Sequence, residues 1–501
     1  AEIAADRENA DAAWRWAVEH EQIERLSQAM EAWGWYHLLQ GQHRDGEAAF
    51  GFAVNRIRDV LGIGKAGGSV AVAAHERTVS PGAVALRVLI AALAWQAWFE
   101  GFMLRSDEVA RRYLQEALAL LNEPSLADKD TRAERAVVLL GIGTLANLTG
   151  NADEAIASLE ASLSLFRELG DRFLMAQVLG HLSNVLLGVQ RYHEAGRRRM
   201  EGLDLRRAVG DAFGVGASLM GLKDIAIAQG QLDEAERWGR EGLAAFRASD
   251  SRFGVAVGTC ELGETLNWRG DFAAARSYFE EGSASFGDLG VGLAWKLESR
   301  LGLCRADLGL GRYEDAQVQA EECLSLAREV RLEWTVGQSL AILGRLALVV
   351  GRTVEARSLS SESAAVMKED FPLEAPAWVE VELSLVACHM RQVQAAGEHL
   401  IVALRIIAER RFFLAALRAI PAAALLLACE GRAEHAVEIY ALSSRYGVVA
   451  NSQWFEDVVG KHIAAAASTL PSEVIAAAQE RGRARDWWET AEELLEELEN
   501  L

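Results

Sequence analysis

Between about Leu139 and Tyr446 the chain repeats itself every 40 residues. A turn position recurs at Gly150, Gln190, Gly230, Gly270, Gly311, Gly351, Arg391 and Gly431, in steps of 40 residues with a single step of 41. Five residues past each turn stands an alanine: Ala155, Ala195, Ala235, Ala275, Ala316, Ala356, Ala396 and Ala436. Eight residues before each turn stands Ile142, Leu182, Leu222, Leu262, Leu303, Leu343, Leu383 or Ala423. The residue after that one is small at Gly143, Ser183, Gly263, Cys304, Gly344, Ser384 and Ala424, with Lys223 the exception. A period of this size that keeps its phase predicts a solenoid, in which each unit packs mainly on its neighbours.

Each repeat reads as two antiparallel helices. The turn between them favours glycine, which tolerates a left-handed backbone. The alanine sits in the first turn of the second helix, where the two axes come closest. The apolar-small pair lies about two turns back on the first helix: one residue fills the core and the other lets the neighbouring helix approach. A second turn, Leu169-Gly170-Asp171, Val209-Gly210-Asp211 and Leu289-Gly290, reads as a terminal glycine with an aspartate cap for the next helix. This order of leucine-small, glycine and alanine is that of tetratricopeptide repeats, lengthened from the usual period of about 34 residues. The expected fold is therefore all-α, a right-handed superhelical α-solenoid of tetratricopeptide-like hairpins. Residues 1–130 are expected to form capping helices and irregular repeats, 131–446 the regular array, and 447–501 C-terminal capping helices.

Length alone, 501 residues, would suggest two to four domains, but a solenoid is one quasi-linear body. The net charge of −21 gives a field unsuited to duplex DNA or an anionic membrane, so neither is an expected partner. The longest uncharged apolar run, Ala419 to Cys429, has the length of a core helix. Five cysteines, Cys260, Cys304, Cys323, Cys388 and Cys429, stand singly, which suits a reducing cytoplasm. No signal peptide opens the chain, and a start at Ala1 rather than Met suggests an excised piece of something longer.

The N-terminal segment carries Trp14, Trp16, Trp33 and Trp35 on two helices, expected to cap the first repeat. A third helix, about Asp45 to Leu61, runs into Gly62-Ile63-Gly64-Lys65-Ala66-Gly67-Gly68-Ser69. That stretch contains G-x-G-x-x-G but has a helix before it instead of a strand, so it reads as a loop and not a dinucleotide site. Pro81 opens the next helix, and an irregular repeat carries its alanine late, at Ala110. Phe371-Pro372 and Pro376 bend the entry to the seventh repeat. Past Tyr446 the pattern stops: Asn451 to Ser468 looks helical, Pro471 to Arg481 forms a short helix, and Asp486 caps a last one. That helix shows Trp488, Ala491, Leu494, Leu495 and Leu498 on one face and acid on the other.

Catalytic and metal-binding patterns are missing: no HExxH, paired CxxC, GxSxG or P-loop occurs, and His181 and His193 stand alone. The chain is expected to be no enzyme and to carry no cofactor. One polar column stands out six residues before the turns: Thr144, Asn184, Asp224, Glu264, Arg305, Arg345 and Leu385. First helices line the groove of such arrays, and Asn147, Asn267, Trp268, Gln338, Trp378 and His389 lie close by. The groove candidates are Asn147, Asn184, Asp224, Glu264, Asn267, Trp268, Arg305, Gln338, Arg345 and Trp378. Two readings of them stay open. One is a ladder of exposed ion pairs between repeats, such as Glu264 with Arg305, each contributing little. The other is a ligand surface that grips a protein or peptide, or a small metabolite, with Trp268 as cover. Arg197-Arg198-Arg199 with Arg206 and Arg207 reads as a solvated outer face, as do Glu492/Glu493 and Glu496/Glu497.

The start, Glu8-Asn9-Ala10-Asp11-Ala12-Ala13-Trp14-Arg15-Trp16-Ala17, resembles the N-x-x-A-A-x-x-W-A helix that follows the ATPase module of bacterial STAND-class signal-transduction ATPases. The end, Gln479-Glu480-Arg481-Gly482-Arg483-Ala484 and its acidic leucine helix, resembles the G-R-A-x-S-x-x-E-A-V tail of those proteins. Asp486-Trp487-Trp488 departs from that tail. In the family, which includes MalT-like and AfsR-like transcription regulators, such an array is the sensor. The resemblance implies an ATPase domain upstream in the same polypeptide. It also implies an effector that fills the superhelix, protein, peptide or sugar, and that alters its contacts with that ATPase.

Overall fold

The computed structural model describes residues 6–39, 42–63, 82–103, 107–289, 293–367 and 375–500, all helices and short connections, with no strand among them. The chain divides into two compact units, Ala1–Gly221 and Leu222–Leu501, and the boundary falls inside the helix Ala212–Ala228. Gly64 to Ser69, Gly290 and Phe371-Pro372, marked above as loop, turn and bend, and Pro81, expected to open a helix, lie outside the described residues.

The turn column takes the backbone that the sequence demands. All eight positions have positive φ, from 58° at Arg391 to 80° at Gly431. Gln190 and Arg391 adopt it without glycine, with φ of 64° and 58°. The second turn recurs with the same period at Gly170 and Gly210 and also at Asp250, Arg331 and Arg411, where no glycine marked it. As expected, Asp171 and Asp211 cap the helices after them: each Oδ1 accepts an N–H, from Leu174 at 3.0 Å and from Gly214 at 2.8 Å.

Every alanine of the plus-five column is wholly buried. The small column explains why. A Cβ placed on Gly143 would stand 2.6 Å from the Leu159 side chain and 3.1 Å from the Ala155 carbonyl. Where serine occupies the column, it bonds the same carbonyl: Ser183 donates to Ala195 and Ser384 to Ala396, both at 2.9 Å. The two columns are the two sides of one close approach within each hairpin. Lys223, the exception, is buried, and its ammonium meets Asp224 at 2.8 Å and Glu261. Burial lowers the affinity of that amine for its proton, but the two carboxylates outweigh it and hold it charged.

In the N-terminal unit, Ala83–Trp98 is the central helix. It packs against His43–Leu61, Asp107–Leu120 and Arg132–Leu148. The segment Ala83–Gly101 is long and apolar enough to cross a membrane by length and composition, a longer apolar stretch than the Ala419–Cys429 run, and it is 56% buried inside this unit. Trp14 and Trp33 are buried and stack at 6.0 Å, Phe50 and Phe99 fill the space beside them, and Trp16 lies at the surface. Ala110 is fully buried despite its late position.

Two expectations are corrected. Arg199 and Arg206, seven residues apart on one helix face, are buried and not solvated; Arg199 donates to Ser183 Oγ at 3.2 Å and to the Asn184 amide oxygen. The last helix, Trp487–Glu499, buries Trp487, Thr490, Ala491, Leu494 and Leu498, whereas Trp488 is half-buried and lies under the Arg411 guanidinium, 5.2 Å from its ring centroid. Its acidic face is solvated as expected, with Glu492, Glu493 and Glu496 exposed, and it also makes ion pairs: Glu492 with Arg411 at 2.6 Å, Glu493 with Arg485, and Glu497 with Arg432.

Candidate functional site

The stretch from Asn451 to Ser468, expected to be helical, is helical over Gln453–Ala467, with a π-helical turn, Glu456–Gly460, between Gln453–Phe455 and Lys461–Ala467. Together with Gly447–Ala450 its first part forms a strap laid across four consecutive repeats of the C-terminal unit. At Gly270 the strap passes backbone to backbone: a Cβ on that glycine would overlap the Gly447 carbonyl, and a Cβ on Gly447 would overlap the Arg269 carbonyl. Asn451 donates to the Gly270 carbonyl at 3.2 Å, and the Gln453 side chain covers Gly311. Trp454 donates its indole N–H to the Arg345 carbonyl at 3.1 Å. The π-turn then aims Asp457 at the Tyr313 hydroxyl, 2.6 Å away, and the Val458 carbonyl at His389 Nε2, 3.0 Å away.

Beneath the strap lies a cavity of about 70 Å³. Its walls are Glu264, Asn267 and Trp268 from Arg252–Arg269, Arg305 from Leu293–Leu310, Arg345 from Glu333–Val349, and Glu382 and Leu385 from Ala375–His389. Facing them stand Leu417 and Arg418 of Phe413–Cys429, and Val448, Ser452, Trp454 and Phe455 of the strap close it. Pro421 lies inside the Phe413–Cys429 helix and has no N–H to return to the carbonyl of Leu417, a wall residue.

Charge in this cavity is arranged in two pairs and one remainder. Glu264 accepts from Arg305 at 2.9 Å, and Glu382 accepts from Arg345 Nε at 2.8 Å. The first is the inter-repeat pair that the ladder reading names. Neither pair is freely exposed: the side chains of Arg305 and Glu264 are 21% and 27% accessible, and those of Arg345 and Glu382 11% and 8%. The Arg418 guanidinium lies between two indoles, 5.3 Å from the Trp268 centroid and 5.5 Å from that of Trp378. Among the described residues it has no carboxylate within ion-pair distance. Burial, with Arg345 and Arg305 nearby, lowers its affinity for the proton against the pull of Glu382 and Glu264. Asn267 donates to the Gly302 carbonyl at 3.0 Å, but its Oδ1 and the Arg305 Nε are buried without partners.

Of the ten groove candidates, Glu264, Asn267, Trp268, Arg305 and Arg345 line this one cavity. Gln338 and Trp378 line a smaller cleft beside it, shared with Arg345, Glu382 and Arg418. The other three are elsewhere. Asp224 is exposed and tied to Lys223. Asn147 and Asn184 belong to the N-terminal unit, exposed, with Asn184 held by Arg199. The sequence reading missed Arg418, Glu382 and the whole strap. Arg418 was legible: Gln338 and Trp378 stand thirteen residues before their turns, and the same position one repeat on is Arg418. Nothing in the strap's sequence showed where it would lie. Among the described residues no group of three or more His, Cys, Asp or Glu could hold a metal ion.

The N-terminal unit has its own cavity, of about 340 Å³, lined by Trp35, Trp95 and Trp98 with Glu31, Arg87, Glu134 and Asp171. Burial and the nearby Asp171 raise the Glu31 carboxyl above its ordinary range.

Comparison with protein-family models and with curated proteins gives no match. Solved structures do match. A Rap protein complexed with Competence and Sporulation Factor is similar over 78% of this chain and 99% of that one, at 12% identity and a TM-score of 0.56. Aspartyl phosphate phosphatase F from Bacillus subtilis covers 68% of this chain and 94% of its own, at 12% identity and a TM-score of 0.46. A STAND-class signal-transduction ATPase with a tetratricopeptide repeat sensor, from Pyrococcus horikoshii, covers 73% of this chain and 53% of its own, at 13% identity and a TM-score of 0.41. At such identities the first speaks for the fold, an all-α tetratricopeptide-like solenoid, and the other two carry no argument of their own.

Proposed function

We propose that this chain is a non-enzymatic binding scaffold, the sensor region of a cytoplasmic STAND-type signalling ATPase, and that the wall of first helices in the C-terminal unit takes a protein or peptide effector. One observation carries the reading. Five side chains singled out along three successive repeats, Glu264, Asn267, Trp268, Arg305 and Arg345, converge on a single cavity. A wall that alternates cationic, anionic and amide groups with indole faces suits the carbonyls, amides and side chains of an extended peptide. The STAND assignment rests on the end motifs described above. It implies that an ATPase domain lies upstream and that an effector selects one curvature of the array.

Selection of random linear peptides against the full chain tests the reading. Captured sequences are expected to lose at least tenfold in affinity on the double substitution Glu264→Ala, Arg345→Ala. Capture indifferent to both changes would remove this wall as the binding surface. A second reading, a small-metabolite receptor, is favoured by the larger, tryptophan-lined cavity of the N-terminal unit. Thermal shift against metabolite panels separates the two, because a ligand at 100 times its Kd adds about 2.7 kcal/mol of stability. A hit abolished by Trp95→Ala and unaffected by Arg345→Ala would favour the second.

A further inference from the structure

The cavity under the strap holds three guanidinium groups, Arg305, Arg345 and Arg418, and two carboxylates, Glu264 and Glu382. Each carboxylate is taken by its own arginine, so one positive charge is left over, in a chain whose net charge is −21. That charge is fixed in place. Trp268 and Trp378 hold the Arg418 guanidinium from two sides and leave its N–H edge without a carboxylate among the described residues. Indole faces stabilise a cation but accept no directed hydrogen bond as strong as a carboxylate's. Two further polar atoms without partners, Asn267 Oδ1 and Arg305 Nε, belong to residues of the same wall.

Space argues for a moving cover. A cavity of about 70 Å³ admits a few water molecules, since each occupies about 30 Å³ in the liquid. A peptide end fits only when the strap withdraws. The segment that closes the cavity, Ser452 to Phe455, buries Trp454 and Phe455 against the repeats, and it and its flanks are tied by three hydrogen bonds: Asn451 to Gly270, Trp454 to Arg345, Tyr313 to Asp457. Its withdrawal uncovers two aromatic side chains, whose contacts the incoming peptide replaces. Its Gly447–Gly270 crossing is backbone to backbone and leaves no side-chain interlock at that point.

We infer that Arg418 is the docking point for a carboxylate of the bound peptide, and that the strap residues Ser452–Phe455 are the cover which that peptide displaces. This rests on the peptide-binding reading above and names the chemistry it requires. The planar guanidinium presents paired N–H groups that match a carboxylate in bidentate fashion, and the pairing neutralises the one unbalanced charge of the cavity. The carboxylate comes either from a chain terminus or from an acidic side chain.

Three rhodamine-labelled random pentapeptide pools separate these cases by fluorescence polarisation with the full chain. One lacks Asp and Glu and ends in a free carboxylate. The second is the same pool amidated. The third is amidated and carries one Glu at a random position. At least tenfold tighter binding of the first or third pool than of the second, reduced to parity by Arg418→Gln, supports the inference and tells terminus from side chain. Equal binding of all three overturns it while the peptide reading stands, as does a carboxylate preference that survives Arg418→Gln. Binding of none overturns both. Should Arg418→Gln fail to fold by circular dichroism, Arg418→Lys replaces it; the lysine keeps the charge without the paired N–H geometry, so a preference lowered at least threefold supports docking and an unchanged one overturns it. Trp454→Ala is expected to tighten the favoured pool at least threefold by loosening the cover, and unchanged or weaker binding overturns the displacement.

Discussion

A single glycine shows how much one residue decides here. Gly270 and Gly351 hold the same place in the repeat with nearly the same backbone, φ of 78° and 73°. A Cβ on Gly351 would meet nothing within 4 Å, whereas one on Gly270 would collide with the Gly447 carbonyl. Gly351→Ala is therefore expected to cost only the left-handed backbone strain, about 1 kcal/mol. Gly270→Ala adds displacement of the strap, and trypsin should then cut faster at Lys461. Equal cleavage rates in the two variants would show that the strap does not depend on that crossing. At the alanine column the constraint is volume: Ala316 is wholly buried. Leucine there is expected to destabilise by about 1–3 kcal/mol in urea titration, and a change under about 0.5 kcal/mol would show that the hairpin yields to accommodate it.

Elements are held together here by hairpin packing and by a few charged clasps. The helix Ser472–Ala484 packs on Ala433–Ser443, and its Arg481 donates to Glu438 at 2.8 Å. Arg485 donates to the other oxygen of the same carboxylate at 2.7 Å. Burial would raise the Glu438 carboxyl, but the two arginines outweigh it and hold it below its ordinary range. A depressed carboxylate stabilises the fold above its unfolded pKa, and that stabilisation is lost as pH falls through the folded value. Glu438→Gln is thus expected to lower Tm at pH 7, with the gap to the parent chain closing on acidification below the ordinary carboxylate range. A gap that stays constant down to acid pH would remove the clasp from the account.

For the whole molecule, two compact units imply separate sensitivities. His37 in the N-terminal unit is 1% exposed, packed edge-on to Trp33 at 4.6 Å. Burial pushes its pKa down to about 4, against the pull of Asp11 and Asp45. A lowered histidine leaves stability intact above about pH 6.5 and removes it as pH falls toward the folded value. The loss reaches up to about 3 kcal/mol at roughly 1.4 kcal/mol per pH unit. Urea titrations at pH 7 and pH 4.5, followed by tryptophan fluorescence, should show a smaller pH dependence for His37→Leu than for the parent chain. An identical dependence would place the acid sensitivity in other groups. In a solenoid such effects stay local, because each repeat contacts little beyond its neighbours.

The repeat itself was legible residue by residue. Glycine at Gly150 or Gly431, alanine at Ala155 or Ala436, and serine at Ser183 or Ser384 each answer a local steric requirement that recurs with the hairpin, so spacing alone revealed them. The same logic reached part of the cavity wall, since Glu264, Arg305 and Arg345 occupy one column. The non-glycine turns at Asp250, Arg331 and Arg411 escaped, because a left-handed backbone there is imposed by the packing on either side and not announced by residue type. Arg199 escaped for a related reason: a guanidinium is buried when Ser183 and Asn184 meet it, and those partners come from another helix. Only the tertiary structure brought Arg418 between Trp268 and Trp378 and laid Gly447–Gly460 over four repeats. Those contacts join residues 40 to 181 positions apart. Trp378 and Arg418 hold one column in adjacent repeats, so the period encodes their approach. No local pattern encodes the meetings of Arg418 with Trp268 or of Asn451 with Gly270, which follow from how the stacked hairpins turn toward one another.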